Sequence, residues 1–510
     1  MSRALWQLVE ERADATPDAR VAVDEHRRTL TFEQLRDEAE RTAAGLLAHG
    51  VRPSDLVSWQ LPTALDTIVF TLALARLGAV QNPLVMMLRE RDLGFICRQA
   101  RTRWLAVPGE FRGTDHEAMA KAVVTGVPGA EVLPLADGLP TGDPATLPPP
   151  PSDGSDVRWI FYTSGTTADP KGAKHTDAGL TAASRTFCDH LALRPEDVTA
   201  TLLPLAHVGG VAHLLSALQA GSSLITSAVF DPESTPDLLA EQGVTLVGSG
   251  LPFIQVYLAR QRLHPDRPLF PLARVTLCGG SPRPASLHET VRRELGGVGV
   301  VSGYGMTECP YLTWGHWDDS DAAHATSEGN AGAGGEVVVV RPDGTHAGPG
   351  EIGELRVRGP QLMRGYVDSA LDADAFDENG YFRSGDLGFR DERGYVTVTG
   401  RLKDIIIRKM ENISARELEE LLIGHPRVAD VAVIGLPDPE TGERVCAVVV
   451  PVSAEDPPDL TGLCDHLLDH GLSTRKLPEQ LELVGALPRN AMGKVVKRDL
   501  TARYRIQETR

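Results

Sequence analysis

Short apolar runs alternate with helical patterns through the first half of this 510-residue chain. Leu56-Val-Ser-Trp59 reads as a strand, an amphipathic stretch from Leu65 to Leu77 as a helix, and Trp104-Leu-Ala-Val107 as the next strand. Ala200-Thr-Leu-Leu-Pro204, then Val211 to Leu218, then Thr245-Leu-Val247 continue the pattern. Alternation of this kind predicts α/β layering, with parallel strands covered by crossover helices. Near Glu336-Val-Val-Val-Val340 the texture becomes rich in strands and turns, through Pro342-Asp-Gly344 and Glu354-Leu-Arg-Val-Arg358. A small distorted β-barrel or sheet is predicted there. After Gly400 a third texture begins. Val431-Ala-Val-Ile434 and Val445-Cys-Ala-Val-Val-Val450 bracket a turn, and an amphipathic stretch from Asp459 to Leu468 follows. The organisation predicted is a large N-terminal domain over residues 1–402 and a small mobile α+β domain over residues 403–510.

Several function classes are disfavoured by composition. The net charge of −18 argues against a nucleic-acid surface, which needs a basic face to displace counterions, and against docking on anionic lipid. It leaves room for a small anionic ligand, since a few local lysines and glycine amides outweigh the global field at close range. The six cysteines (Cys97, Cys188, Cys278, Cys309, Cys446, Cys464) are scattered without a C-x-x-C pair, which argues for a reducing compartment. The N-terminus carries charge too early for a secretory signal, and no apolar run is long enough to span a membrane. A cytoplasmic enzyme without nucleic-acid or membrane partners is expected, and its oligomeric state is left open.

The chemistry concentrates at Phe161-Tyr-Thr-Ser-Gly-Thr-Thr-Ala-Asp-Pro-Lys-Gly172. Thr163, Ser164, Thr166 and Thr167 supply hydroxyls, Gly165 a permissive backbone, and Lys171 a point charge. Hydroxyls and open amides beside one lysine suit phosphate oxygens. The spacing is not that of a Walker A loop. The run follows Val157-Arg-Trp-Ile160, which reads as the end of a strand. Further along, Ser302-Gly-Tyr-Gly-Met-Thr-Glu308 combines two glycines, a flat tyrosine face and hard oxygens at Thr307 and Glu308 suited to Mg²⁺. In Tyr381-Phe-Arg-Ser-Gly-Asp-Leu-Gly388, Asp386 offers a carboxylate able to accept from two hydroxyls at once.

These strings, in this order, resemble the motifs of the adenylate-forming superfamily: acyl-CoA synthetases, firefly luciferases and peptide-synthetase adenylation domains. The first matches the family's Y-T-S-G-T-T-G-x-P-K-G and departs only at Ala168. The resemblance implies that Thr163, Ser164, Gly165, Thr166, Thr167 and Lys171 cradle ATP phosphates. It implies that Gly303, Tyr304, Gly305, Met306 and Thr307 hold adenine and the α-phosphate, with Glu308, and more weakly Thr163, on magnesium. Leu277-Cys-Gly-Gly-Ser-Pro282 is similar to the glycine segment walling the adenine and acyl pockets, which assigns Gly279, Gly280 and Ser281. Asp386 then binds the ribose. Thr399-Gly-Arg-Leu-Lys-Asp404 resembles the interdomain hinge, with Arg401 on ribose or phosphate and Lys403 as pivot. Leu487-Pro-Arg-Asn-Ala-Met-Gly-Lys-Val-Val-Lys497 makes Lys494 the lysine that enters the N-terminal domain during adenylation. His207, in Pro204-Leu-Ala-His-Val-Gly-Gly210, becomes a gate or orienting residue beside the acid.

The activity so implied is ATP- and Mg²⁺-dependent conversion of a small or medium organic acid to an acyl adenylate, then thioester formation with CoA. The family commonly has glycine before the Glu-Asn of the acceptor tunnel, where this chain has Lys409 and Met410. Two readings stay open: a flexible methionine that bends aside for CoA, or a narrowed tunnel serving an amine or a nitrite-type diazotisation chemistry. Candidate walls for the acid pocket are Val247 to Leu251, Gly279 to Ser281 and Cys309 to Thr313.

Overall fold

The computed structural model describes residues 2–163, 170–248, 250–280, 283–408, 411–438, 441–490 and 493–505. Ser164, Gly165, Thr166, Thr167, Ser281, Lys409 and Met410 therefore lie outside the described residues.

Two large sheets carry the N-terminal part, as its alternating pattern predicts. One has nine strands, with a parallel centre of Ser223–Thr226, Val198–Thr201, Leu246–Gly248, Val275–Gly279 and Val300–Met306. It ends in the antiparallel pair Cys309–Trp314 and Asn330–Ala331. The other has six strands, among them Leu56–Trp59, Val80–Pro83, Trp104–Val107, Val157–Thr163 and Lys171–Thr176. Local signals set the helices between them. Phe32–His49 starts at a capping box of Thr31 and Gln34 and stops at Gly50, whose φ of 116° is open to glycine.

Leu65–Leu77 is a helix, but it is not amphipathic. Every residue in it except Asp66 is buried, and it packs on Phe32–His49. A helix that is apolar all round belongs inside a multilayer core, and this one joins a cluster with Trp6, Trp59 and Trp159.

The β-rich stretch forms a four-stranded antiparallel sheet, Glu336–Val340, Gly353–Arg358, Phe382–Arg390 and Val396–Arg401. Its pairings among the described residues run in that open order, so the expected barrel is here an open sheet. Its core includes Val337, Val339, Leu355, Val357 and Phe382, together with Tyr304 and Tyr366 from the neighbouring layers.

A 3₁₀ turn, Leu402–Asp404, leads into the last, five-stranded sheet. Val428–Asp438 and Gly442–Pro451 form its long central hairpin, covered on one face by Ala415–Leu422 and Leu460–Asp469. The second of these helices begins at Asp459, which caps Gly462 N–H. The helix Ala415–Leu422 also packs against Val396–Arg401, and Ser414 Oγ donates to the Thr399 carbonyl at 3.1 Å. Arg416 on that helix stands 4.0 Å from the buried carboxylate of Glu328. None of the helices among the described residues is long and apolar enough to cross a membrane.

Candidate active site

Three sheets meet at the ends of Val157–Thr163, Val300–Met306 and Phe382–Arg390, and the motif residues gather there. Thr163 and Lys171 face each other in register across an antiparallel ladder, so Val157–Thr163 and Lys171–Thr176 make a first hairpin. Gly172 follows because a Cβ there would stand 2.7 Å from the Tyr162 ring. Lys171 Nζ lies 5.4 Å from the centre of the Tyr366 ring. Tyr366 in turn donates its hydroxyl to Glu308 Oε1 at 2.7 Å. A cation, an aromatic ring and a carboxylate thus link the first hairpin to the second.

That second hairpin turns at Thr307 and Glu308, because Met306 pairs with Cys309. It is braced from beneath by His175, whose Nε2 meets the Thr307 carbonyl at 2.8 Å. Burial lowers the His175 pKa to about 4, so the imidazole is neutral and its proton sits on Nε2 to make that bond. Gly303 is required by contact. A Cβ there would stand 2.6 Å from the Trp314 indole. Gly279 pairs with Gly303 in register, and Gly279 and Gly280 are exposed at the strand end.

Asp386 is the buried acid of the site. It accepts from the Tyr304 hydroxyl at 2.9 Å and from Arg401 Nε at 2.8 Å. Asp386 and Arg401 are direct cross-strand partners, so the sheet register alone sets their pairing. The Asp386 charge raises the Arg401 pKa. Burial first, and then the Asp386 charge, holds the Tyr304 phenol well above its ordinary value and therefore neutral. A carboxylate has about four lone-pair positions, so two remain for hydroxyls of a ligand.

Lys494 comes from the segment between the strand Gln480–Leu483 and the helix Lys497–Arg505. It sits in a tight turn in which Asn490 N donates to the Lys494 carbonyl at 2.8 Å and Arg489 bridges Val495. The residue keeps solvent contact, yet its ammonium stands among protein groups. Desolvation chiefly, then Arg401, lowers its pKa, while Asp386 and Glu308 oppose that shift.

The Lys494 charge also acts on His207. His207 caps the helix Val208–Ala220, with Nδ1 accepting from Gly209 N at 3.1 Å. Burial and then the Lys494 charge lower its pKa to about 4. With Nδ1 engaged as acceptor, the neutral ring carries its proton on Nε2 and is a donor, not a cation.

Thr163, Lys171, Gly279, Gly280, Gly303, Tyr304, Gly305, Met306, Thr307, Glu308, Asp386, Arg401, Lys494 and His207 are thus the sequence candidates among the described residues, and these contacts bring them to one cleft. Tyr366 and His175 also shape it and carry no local sequence signal; Tyr311 falls in the expected wall Cys309 to Thr313, and its hydroxyl donates to the Gly209 carbonyl at 3.2 Å. Their contacts come from segments far apart in the chain. Cys309 is fully buried, so it offers no pocket wall. Among the described residues no group of three or more His, Cys, Asp or Glu could hold a metal. Among the described residues Glu308 and Thr163 offer oxygens of the kind Mg²⁺ takes, since that ion accepts one or two from protein and fills the rest with phosphate and water.

Known proteins resemble this chain in sequence and in fold. The family described as AMP-binding enzyme matches residues 9–367, and its C-terminal domain family matches residues 417–494. The medium-chain fatty-acid–CoA ligase of Escherichia coli K12 is 31% identical over 96% of this chain and 88% of its own length. The 2-succinylbenzoate–CoA ligase of Bacillus licheniformis is 30% identical over 96% of this chain and 98% of its own. ATP-bound MatB from Rhodopseudomonas palustris superposes with a TM-score of 0.88 at 29% identity, covering 99% of both chains. The match spans well over half of the sequence, and this chain belongs to the adenylate-forming superfamily of AMP-binding enzymes.

Proposed function

We propose that this protein activates a small organic acid with ATP and passes the acyl group to the thiol of CoA. In the first half-reaction a carboxylate oxygen attacks the α-phosphorus, the bond to the β-phosphate oxygen breaks, and pyrophosphate leaves. In the second, the CoA sulfur attacks the acyl carbon, its proton is lost to solvent, and AMP departs. The observation that carries the reading is Lys494, a cation from the C-terminal domain placed among Arg401, Asp386, Glu308 and His207.

Each group then has a task that its surroundings permit. Asp386 takes the ribose hydroxyls on its free lone pairs, held by Tyr304 and Arg401. The hairpin at Thr163 and Lys171 receives the β- and γ-phosphates, and Gly279 to Gly303 admits adenine. His207 donates from Nε2 to the acid carboxylate and orients it without adding charge. Lys494 and Arg401 stabilise the negative charge that gathers at the α-phosphate, an effect of positioning and preorganised electrostatics. Glu308 and Thr163 would hold Mg²⁺, whose contribution when bound is to neutralise phosphate charge.

The relatives named CoA ligases support CoA as acceptor. No observation favours the amine or nitrite-type acceptor. Two reactions at one cleft require Lys494 to leave after the first, and we place the domain boundary at 402/403, with Lys403 as pivot. The deciding experiment is pyrophosphate release against a panel of acids, followed by AMP release with and without CoA. Adenylation of none of the acids, with ATP still bound, overturns the enzyme reading. Adenylation without any CoA-dependent step overturns the acceptor.

A further inference from the structure

We infer that Tyr366 is a positioning residue for the divalent cation that accompanies ATP: its hydroxyl holds one oxygen of Glu308 and leaves the other for the metal, while its ring seats Lys171. The inference rests on the proposed adenylation site, because it takes Glu308 as the carboxylate on that cation and Lys171 as a charge on the phosphates.

The main chain fixes where Tyr366 stands. Residues 363–367 run alongside Lys171–Thr176, with Ala173 and Tyr366 bridged as antiparallel partners. Lys174 N donates to the Gly365 carbonyl at 3.0 Å, Arg364 N to the Lys174 carbonyl at 2.8 Å, and Val367 N to the Gly172 carbonyl at 2.8 Å. Met363 N donates to the Glu308 carbonyl at 2.8 Å, so the same segment grips the second hairpin as well. The Tyr366 N–H is taken by Asp372 Oδ1 at 2.8 Å, and the residue is buried. A side chain on so constrained a backbone has little freedom left.

From that position the hydroxyl donates to Glu308 Oε1 at 2.7 Å. Burial, and then the Glu308 charge, raises the Tyr366 pKa, so the phenol stays a neutral donor. Chelation by both oxygens of a carboxylate suits a large ion such as Ca²⁺, whereas Mg²⁺ is smaller and demands near-octahedral geometry. With Oε1 engaged, Glu308 is left to offer Oε2. Hydrogen bonds to a ligating carboxylate orient it, and losing one costs about 10- to 100-fold in metal affinity. The ring centre lies 5.4 Å from Lys171 Nζ, within range of cation–π attraction. Hydroxyl and ring thus act on two different groups, which makes their contributions separable.

The test is calorimetric titration of ATP into the whole protein, without acid, in EDTA, in Mg²⁺ and in Ca²⁺. Wild type is expected to gain more ATP affinity from Mg²⁺ than from Ca²⁺. Tyr366→Phe keeps the ring beside Lys171, so its affinity in EDTA is expected to stay within about twofold of wild type, while the gain from Mg²⁺ falls about tenfold or more. The gain from Ca²⁺ is expected to persist, because both Glu308 oxygens are then free. Tyr366→Leu removes the ring too and is expected to weaken ATP binding in EDTA as well. The ratio of affinities with and without Mg²⁺ reads the hydroxyl in either variant, so Tyr366→Leu serves should Tyr366→Phe not fold. In a Glu308→Gln background Tyr366→Phe is expected to add no further loss, because the hydroxyl acts through that carboxylate. An undiminished Mg²⁺ gain in folded Tyr366→Phe overturns the inference. So does a loss of the same size in EDTA and in Mg²⁺, which is what a purely structural role produces, or an equal fall of the Mg²⁺ and Ca²⁺ gains. Wild type that binds no ATP in any of the three buffers overturns the adenylation reading itself, which is a distinguishable failure.

Discussion

Replacing Lys494 with alanine removes the only site cation supplied by the C-terminal domain among the described residues. A unit charge about 4 Å from a developing anion contributes about 4 kcal/mol at an effective dielectric near 20. Loss of one preorganised donor from such a site costs about 10²- to 10³-fold in kcat. Arg401 remains beside Asp386 and shares the load, and Lys494 keeps contact with solvent. Both facts place the expected loss at the lower end, about 10²-fold in pyrophosphate release. Thioester formation from a supplied acyl adenylate is expected to be nearly unchanged. The pH profile adds a second reading. Only the protonated ammonium stabilises the anion, and its pKa is lowered, so adenylation declines as pH rises at values below those of an ordinary lysine. Lys494→Arg, which stays charged, abolishes that decline while retaining more rate than alanine. Equal loss in both half-reactions, or an unaltered alkaline decline in Lys494→Ala, refutes the placement of this charge at the α-phosphate.

Asp386→Asn removes a charge-assisted bond to Arg401 worth about 1.5–3 kcal/mol; the KM for ATP is expected to rise about tenfold or more, with a smaller change in kcat, and steady-state kinetics at saturating acid checks this. The pair Glu328–Arg416 ties the helix after the hinge to the N-terminal sheet at 4.0 Å, and Arg416 also binds Glu420 at 2.7 Å. A double-mutant cycle of Glu328→Gln and Arg416→Ala on the adenylation rate is expected to yield a coupling of about 1 kcal/mol, and zero coupling dismisses the clasp. His175 and His213 are buried with pKa values lowered to about 4, chiefly by desolvation. The unfolded chain protonates them near 6.5 and the folded chain only near 4, so their stabilisation is complete above 6.5 and is lost as pH falls between those values. With His207, lowered to about 4 as well, the slope from these three groups approaches about 4 kcal/mol per pH unit, and the raised carboxyls of Asp177, Glu328 and Glu419 reduce it by acting in the opposite sense. NMR titration of the His175 and His213 ring protons between pH 7 and 5 checks the assignment, and protonation of either in the folded protein near 6.5 rejects it.

The alternation of strand and helix patterns was enough to specify the layers, since Leu56–Trp59, Leu65–Leu77 and Trp104–Val107 appear at the residues expected from apolar spacing. Such spacing is a local property: it records which face of a segment meets other segments. The motif strings are equally local, because a phosphate hairpin or a strand-end glycine is built from neighbours in sequence. What surrounds Leu65–Leu77 was not local, so its burial on every side escaped the reading of one apolar face. The same holds for the partners within the site. Tyr366 on Glu308, His175 beneath Thr307 and Tyr311 across to Gly209 join residues 58, 132 and 102 positions apart. Those pairs exist because three sheets converge, and the register of Phe382–Arg390 on Val396–Arg401 decides that Arg401 faces Asp386. The sequence by itself determined the layers and the kinds of group the cleft contains. Only the tertiary structure decided which of them touch and which charges shift one another, because distance and desolvation are properties of packing between distant segments.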